Sequence, residues 1–128
     1  MRLLIDTHLL IWAAEGAEHL STGAVGLMAD PDNVLVFSAA SIWEVAIKQT
    51  LNRRDFSADA SLLRRGLLES GYEELAVNAA HAVAAADLPD THADPFDRML
   101  IAQARTEGLL LLTADRRLAS CGGPIRLV

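Results

Sequence analysis

Two runs in the chain, Val34-Leu35-Val36-Phe37 and Leu109-Leu110-Leu111-Leu112, are apolar at every position. A strand with one wet face alternates apolar and polar side chains. Uninterrupted runs belong instead to parallel sheets covered on both faces by helices. Arg2-Leu3-Leu4-Ile5 adds a third short apolar segment, and weaker extended segments fall at Tyr72 to Val77 and Ile125 to Val128. Between these, apolar spacing predicts helices over about 7–14, 22–29, 39–50, 59–69, 78–86 and 95–106. Asp6, Ser38 and Asp94 stand where helix caps are needed, with Pro95 at a first helical position and Gly16 and Gly108 as stops. The polar stretch Asn52-Arg53-Arg54-Asp55 reads as a loop. Strands separated by helices give an α/β chain in three layers, with a central, mostly parallel sheet of about five strands flanked by helices. The 128 residues suit one domain, 1–128, large enough to bury about two-thirds of its surface.

Composition narrows what such a domain does. With 52% hydrophobic and 22% charged residues, disorder and fibrous repeats are excluded. The single cysteine, Cys121, rules out an intrachain disulfide and a zinc site built on cysteines. No apolar run approaches the roughly 20 residues of a membrane span. The start, Met1-Arg2-Leu3-Leu4-Ile5-Asp6, is charged too early for a secretory signal. A cytoplasmic protein is expected. The net charge of −6 argues at first against a nucleic-acid partner. Carboxylates gathered around metal ions are neutralised on binding, however, and two divalent cations would bring the total to about −2. Ten of the eleven basic residues are arginine, among them Arg53-Arg54, Arg64-Arg65, Arg116-Arg117, Arg98 and Arg105. Arginine forks phosphate, although solvated helix faces are the plainer reading of any one pair.

In parallel sheets ligands bind beyond the carboxyl ends of the strands. Asp6 follows the first apolar segment, and Asp115 lies two residues after Thr113. Glu44 sits early in the helix entered from the second strand, and Asp97 in the first turn of the helix opened by Asp94-Pro95. Topology can bring these four acids from distant segments to one sheet edge. All-oxygen sites of that kind suit hard divalent cations such as Mg²⁺, completed by water and substrate phosphate, and such ions activate water for phosphodiester hydrolysis. A plainer reading stands beside this one. Acids favour helix N-termini, and Glu44 with Lys48 has the spacing of a simple i,i+4 surface pair. Asp6 is the hardest to dismiss, since a charge ending an all-apolar strand lies next to a sheet edge.

Four segments carry a resemblance. Asp6-Thr7-His8-Leu9-Leu10, then Ser38-Ala39-Ala40-Ser41-Ile42-Trp43-Glu44-Val45-Ala46-Ile47-Lys48, then His92-Ala93-Asp94-Pro95-Phe96-Asp97-Arg98-Met99-Leu100-Ile101-Ala102-Gln103-Ala104, and last Thr113-Ala114-Asp115 resemble, in order, the motifs of PIN domains. The likeness is to the bacterial VapC-type toxins of type II toxin–antitoxin pairs. The resemblance implies a PIN-like fold and endoribonuclease activity that hydrolyses RNA phosphodiesters with metal-activated water, using one or two Mg²⁺ or Mn²⁺ ions. It implies catalytic and metal-holding roles for Asp6, Glu44, Asp97 and Asp115. Asp94 also matches a motif position, though its expected role is the cap. Thr7 and Thr113 are candidates to hold a carboxylate, a metal-bound water or substrate, and Arg98 to meet substrate phosphate or balance the acids. For His8 and His92 a structural role is expected ahead of substrate contact. His19, His81 and Cys121 carry no motif, and Trp12 and Trp43 read as core or interface. The implied partners are an RNA substrate and a cognate antitoxin encoded nearby, in a homodimer or toxin–antitoxin hetero-oligomer, with no membrane. Mean hydropathy of +0.24 fits exposed apolar surface for such a partner. Segments 9–14 and 42–51, with Leu10, Ile11, Trp12, Trp43, Ile47 and Leu51, are where that surface is expected.

The alternatives are a Mg²⁺-binding receiver-like signalling domain and a non-catalytic interaction module on the same fold. A receiver needs paired acids after its first strand and a lysine after a late one. Here Asp6 stands alone and Lys48 lies in a helix. A dehalogenase-like phosphatase needs a second Asp where His8 stands, and no phosphate-binding glycine loop occurs.

Overall fold

The computed structural model describes residues 1–51, 59–89 and 94–128; the expected loop at Asn52-Arg53-Arg54-Asp55, and His92, lie outside them. The described strands are β1 (Arg2–Ile5), β2 (Val34–Ser38), β3 (Glu73–Leu75), β4 (Leu110–Thr113) and β5 (Ile125–Leu127). They form one sheet in the order β3-β2-β1-β4-β5, with every neighbouring pair parallel. The described helices are α1 (Thr7–Glu15), α2 (Thr22–Ala29), α3 (Ala39–Thr50), α4 (Ala60–Glu69), α5 (Ala79–Ala86), α6 (Pro95–Glu107) and α7 (Arg116–Ala119), with a short 3₁₀ turn at Ala17–His19.

The apolar strands feed two cores. Leu3 and Ile5 of β1, Phe37 of β2 and Leu112 of β4 pack with Leu9, Leu10, Val45, Leu63 and Leu67 from α1, α3 and α4. Leu4, Val36 and Leu111 point to the other face and pack with Leu100, Ile101, Ala104 and Leu118 from α6 and α7. Both faces of the sheet are therefore covered, which is why the sequence shows no alternation. The register places Leu3 beside Leu35 and Leu110, so the three central strands run level and end level.

Chain direction reverses across the sheet between β1 and β4. From β1 the chain steps through β2 to β3 on one side, then crosses to β4 and β5 on the other. At such a switch point the helices leave on opposite faces, and a crevice opens beyond the carboxyl ends of the two strands.

Local chemistry accounts for the boundaries. Asp6 accepts from Leu9 N–H at 3.0 Å, Ser38 from Ala40 N–H at 3.0 Å and Asp94 from Phe96 N–H at 2.8 Å, so the expected caps of α1, α3 and α6 are in place. Gly108 ends α6 with φ 67°, a left-handed conformation that a side chain would strain. Two features depart from expectation. The extended segment at 72–77 shrinks to Glu73–Leu75, an edge strand with two exposed glutamates, because Asn78 turns its side chain to cap α5. The helix α7, whose four residues show no apolar periodicity, is started by Asp115 accepting from Arg117 N–H at 2.8 Å. Of the apolar positions expected at the surface, Leu10 is buried and Ile11, Trp12 and Ile47 are half-buried, while Trp43 is 64% and Leu51 60% exposed.

Leu4→Ala empties a fully buried site in the central strand and is expected to cost about 2–5 kcal/mol. Urea unfolding monitored by circular dichroism checks this; a loss below about 1 kcal/mol would mean that the second core is not packed as described.

Candidate active site

A cavity of about 540 Å³ opens at the crevice, and five carboxylates line it: Asp6, Glu44, Asp94, Asp97 and Asp115. Thr7, His8, Lys48, Arg117 and Ser120 complete its polar wall. All four acids expected from the sequence thus meet in one place. Asp94 joins them while also serving as the cap of α6.

Each is brought there by a different element. Asp6 is the first residue beyond β1; its backbone N–H still donates to Leu112 O at 3.1 Å, which fixes it against β4. One carboxylate oxygen accepts from Leu9 N–H, and the other accepts a short bond from the Thr113 hydroxyl. That hydroxyl in turn accepts from Asp115 N–H at 3.0 Å. A single threonine at the end of β4 therefore ties Asp6 to the turn that presents Asp115. Across the pocket, the Thr7 hydroxyl lies 2.7 Å from Glu44 Oε1 and 2.9 Å from Ser41 Oγ. Lys48 Nζ donates to Glu44 Oε2 at 2.9 Å. Asp97 comes from the first turn of α6.

Electrostatics sets Asp6 apart. Burial raises its pKa above the ordinary carboxylate value. The Thr113 and Leu9 hydrogen bonds and His8 pull it back down, while Asp115 pushes it further up. A carboxylate in this position is ionised most easily when a cation stands near it.

The donor set is all hard oxygen and carries excess negative charge, which fits Mg²⁺ or Mn²⁺ and not a soft, thiolate-seeking ion. Among the described residues no three His, Cys, Asp or Glu side chains stand close enough together to hold a metal ion by themselves.

Other side chains fall differently from expectation. Arg98 is not among the described residues lining the cavity. Its guanidinium donates at 2.8 Å to the carbonyls of Ala85, Leu88 and Pro89, at the end of α5. Carbonyls left open where a helix ends attract an arginine. Thr7 and Thr113 hold carboxylates, one of the roles foreseen for them. His8 is exposed at the pocket wall. His81, set aside in the sequence, is fully buried: it closes a capping box with Asn78 and meets Glu107 Oε1 at 2.7 Å. The Asn-x-x-His spacing was the only local signal of it. Together His81 and Arg98 bind α5 antiparallel along α6 at both ends.

The family model described as PIN domain matches residues 3–123 of the chain. The chain belongs to the PIN-domain family. This PIN domain is similar in structure to VapBC2 from Rickettsia felis, solved bound to a DNA fragment from its promoter, with a TM-score of 0.70 and 14% identity, covering 100% of this chain and 98% of that one. VapC20 of Mycobacterium tuberculosis, described as a sarcin–ricin loop cleaving toxin, matches with a TM-score of 0.64, 21% identity and 94% and 95% coverage. VapBC-1 from nontypeable Haemophilus influenzae matches at 0.59 with 18% identity, covering 94% and 92%. Sequence comparison with curated proteins gives no match.

The raised pKa of Asp6 has a definite sign for stability. A carboxyl that holds its proton more tightly when folded favours the fold at pH below its unfolded value, and that contribution is lost as pH rises through the folded value. In chelator, Asp6→Asn should therefore melt higher than the parent PIN domain at neutral pH, and the advantage should vanish below about pH 4. Melting curves across pH check this; a variant that melts lower at every pH would contradict the desolvation account.

Proposed function

We propose that this PIN domain is a metal-dependent endoribonuclease and the toxin of a type II toxin–antitoxin pair. The observation that carries the reading is the gathering of five carboxylates at the switch point of a PIN-domain sheet. Asp6, Glu44, Asp97 and Asp115 would hold Mg²⁺ or Mn²⁺, with Glu44 contributing through water because the Lys48 ammonium already offsets its charge. When bound, such an ion activates water and stabilises the leaving oxygen of a phosphodiester. The chain's own part is to hold these oxygens in place beforehand. Thr113 and Leu9 N–H fix Asp6, Thr7 fixes Glu44, and helix caps fix Asp94 and Asp115.

RNA as substrate is supported by the sarcin–ricin loop cleavage for which the Mycobacterium tuberculosis neighbour is described, and an antitoxin partner by the two VapBC neighbours. The exposed Trp43 and Leu51 on and just beyond α3 leave apolar surface for a partner or a second copy. Among the described residues no helix is long and apolar enough to cross a membrane, and a cytoplasmic site of action fits the reading. The receiver-like alternative is disfavoured by topology, since receivers order their strands 2-1-3-4-5 whereas this sheet runs 3-2-1-4-5.

Asp6→Asn and Asp97→Asn should each lower RNA cleavage by at least about 10²–10³-fold, the cost of losing one electrostatic stabiliser, while the protein stays folded. Glu44→Gln and Asp115→Asn should lower it less. Parental rates in either of the first two variants, at saturating metal, would overturn the assignment.

Chelation should stop cleavage reversibly, Mg²⁺ or Mn²⁺ should restore it, and Ca²⁺, with its longer bonds and larger ligand number, should restore it poorly. Undiminished cleavage in excess chelator would exclude the metal mechanism.

Expressed alone, the chain should arrest growth. Expressed with the product of an adjacent small reading frame, it should be harmless and copurify as a complex. A chain harmless alone and indifferent to that neighbour would remove the toxin reading and leave the nuclease reading standing.

A further inference from the structure

A polyanion must enter a pocket walled by five carboxylates. Bound divalent cations would offset part of that charge, and a basic side chain on the wall would offset more. Lys48 is the chain's single lysine, and with Arg117 it is one of two Lys or Arg side chains among the described residues of the wall. Its ammonium sits 2.9 Å from Glu44 Oε2, and Glu44 Oε1 is held at 2.7 Å by the hydroxyl of Thr7, the residue next to Asp6. An ordinary i,i+4 pair on a helix surface is loose and contributes little. This one differs. The Glu44 side chain is 8% exposed and pinned by Thr7, whereas that of Lys48 is 30% exposed. The buried partner is fixed, and the partly exposed Lys48 side chain lines the acidic cavity beside it. Lysine is suited to that position, because a compact ammonium binds phosphate as a point charge without a set orientation.

We propose that Lys48 binds a backbone phosphate of the RNA at the wall of the carboxylate pocket, with Thr7 and Glu44 as its positioning residues. The proposal rests on the nuclease reading above. It carries a consequence of opposite signs. The same positive charge that attracts RNA repels a divalent cation in the pocket, so removing it weakens RNA binding and does not weaken metal binding. A lysine that merely braces Glu44 would, on removal, loosen the metal site as well.

The test compares the parent protein with Lys48→Met and Lys48→Arg, after thermal melts show all three folded. Affinity for a short fluorescein-labelled single-stranded RNA of mixed sequence is read by anisotropy in Ca²⁺ over a range of salt. Mn²⁺ affinity is read separately by calorimetry without RNA. Lys48→Met should bind the RNA about tenfold more weakly, as expected for a lost charge-assisted contact. Its log–log salt slope should be shallower by about 0.7, one phosphate contact on a single strand. Mn²⁺ should bind it at least as tightly as the parent. Lys48→Arg should keep the parental salt slope. Unchanged RNA affinity and slope in Lys48→Met would overturn the assignment, and so would a joint loss of RNA and Mn²⁺ affinity. Absence of RNA binding by the parent protein would remove the nuclease reading, and this assignment with it.

Discussion

Asp6 places a buried carboxylate directly after the apolar, fully buried Leu3, Leu4 and Ile5 of the central strand. Removing such a group from water is costly unless it is hydrogen-bonded or met by a cation. The fold answers with two hydrogen bonds, one from the α1 backbone and one from Thr113 on the neighbouring strand. Much else follows from that arrangement. β1 must lie beside β4 for the threonine to reach, the chain must turn into a helix at once for the Leu9 N–H to be available, and Asp115 is drawn in because the same hydroxyl accepts its N–H.

The remaining acids arrive for a related reason. Asp6, Asp94 and Asp115 are themselves the caps of α1, α6 and α7, while Asp97 lies in the first turn of α6 and Glu44 farther along α3. Helix N-termini carry partial positive charge and unpaired N–H groups, which hold carboxylates and offset their mutual repulsion. The capping reading and the metal-site reading of these residues are therefore not rivals. The caps make it tolerable to collect so many negative charges in one crevice before any cation enters.

Much of this was legible in the sequence because it rests on local rules. Continuous apolar runs reported strands covered on both faces, and Asp-Thr, Ser-Ala and Asp-Pro reported helix starts. Four carboxylates following strands or opening helices reported a shared edge. What was hidden depends on pairing between distant elements. Arg98 binds carbonyls in and just beyond the last turn of α5, a contact visible only once α5 lies antiparallel on α6. His81 looked idle because its partner Glu107 is a full helix length away along α6. The i,i+4 spacing of Glu44 and Lys48 was plain, but burial of one partner and the brace from Thr7 were not. α7 escaped notice because four residues with two arginines carry almost no periodic signal.

The central claim is that the crevice between β1 and β4 holds a divalent cation against Asp6 and its neighbours. Crystals grown in Mn²⁺ and measured for anomalous scattering test it directly. The account places a manganese peak in the cavity within bonding distance of the Asp6 carboxylate. Ordered density for the empty carboxylates at high Mn²⁺ concentration, or a peak only elsewhere on the surface, would contradict it.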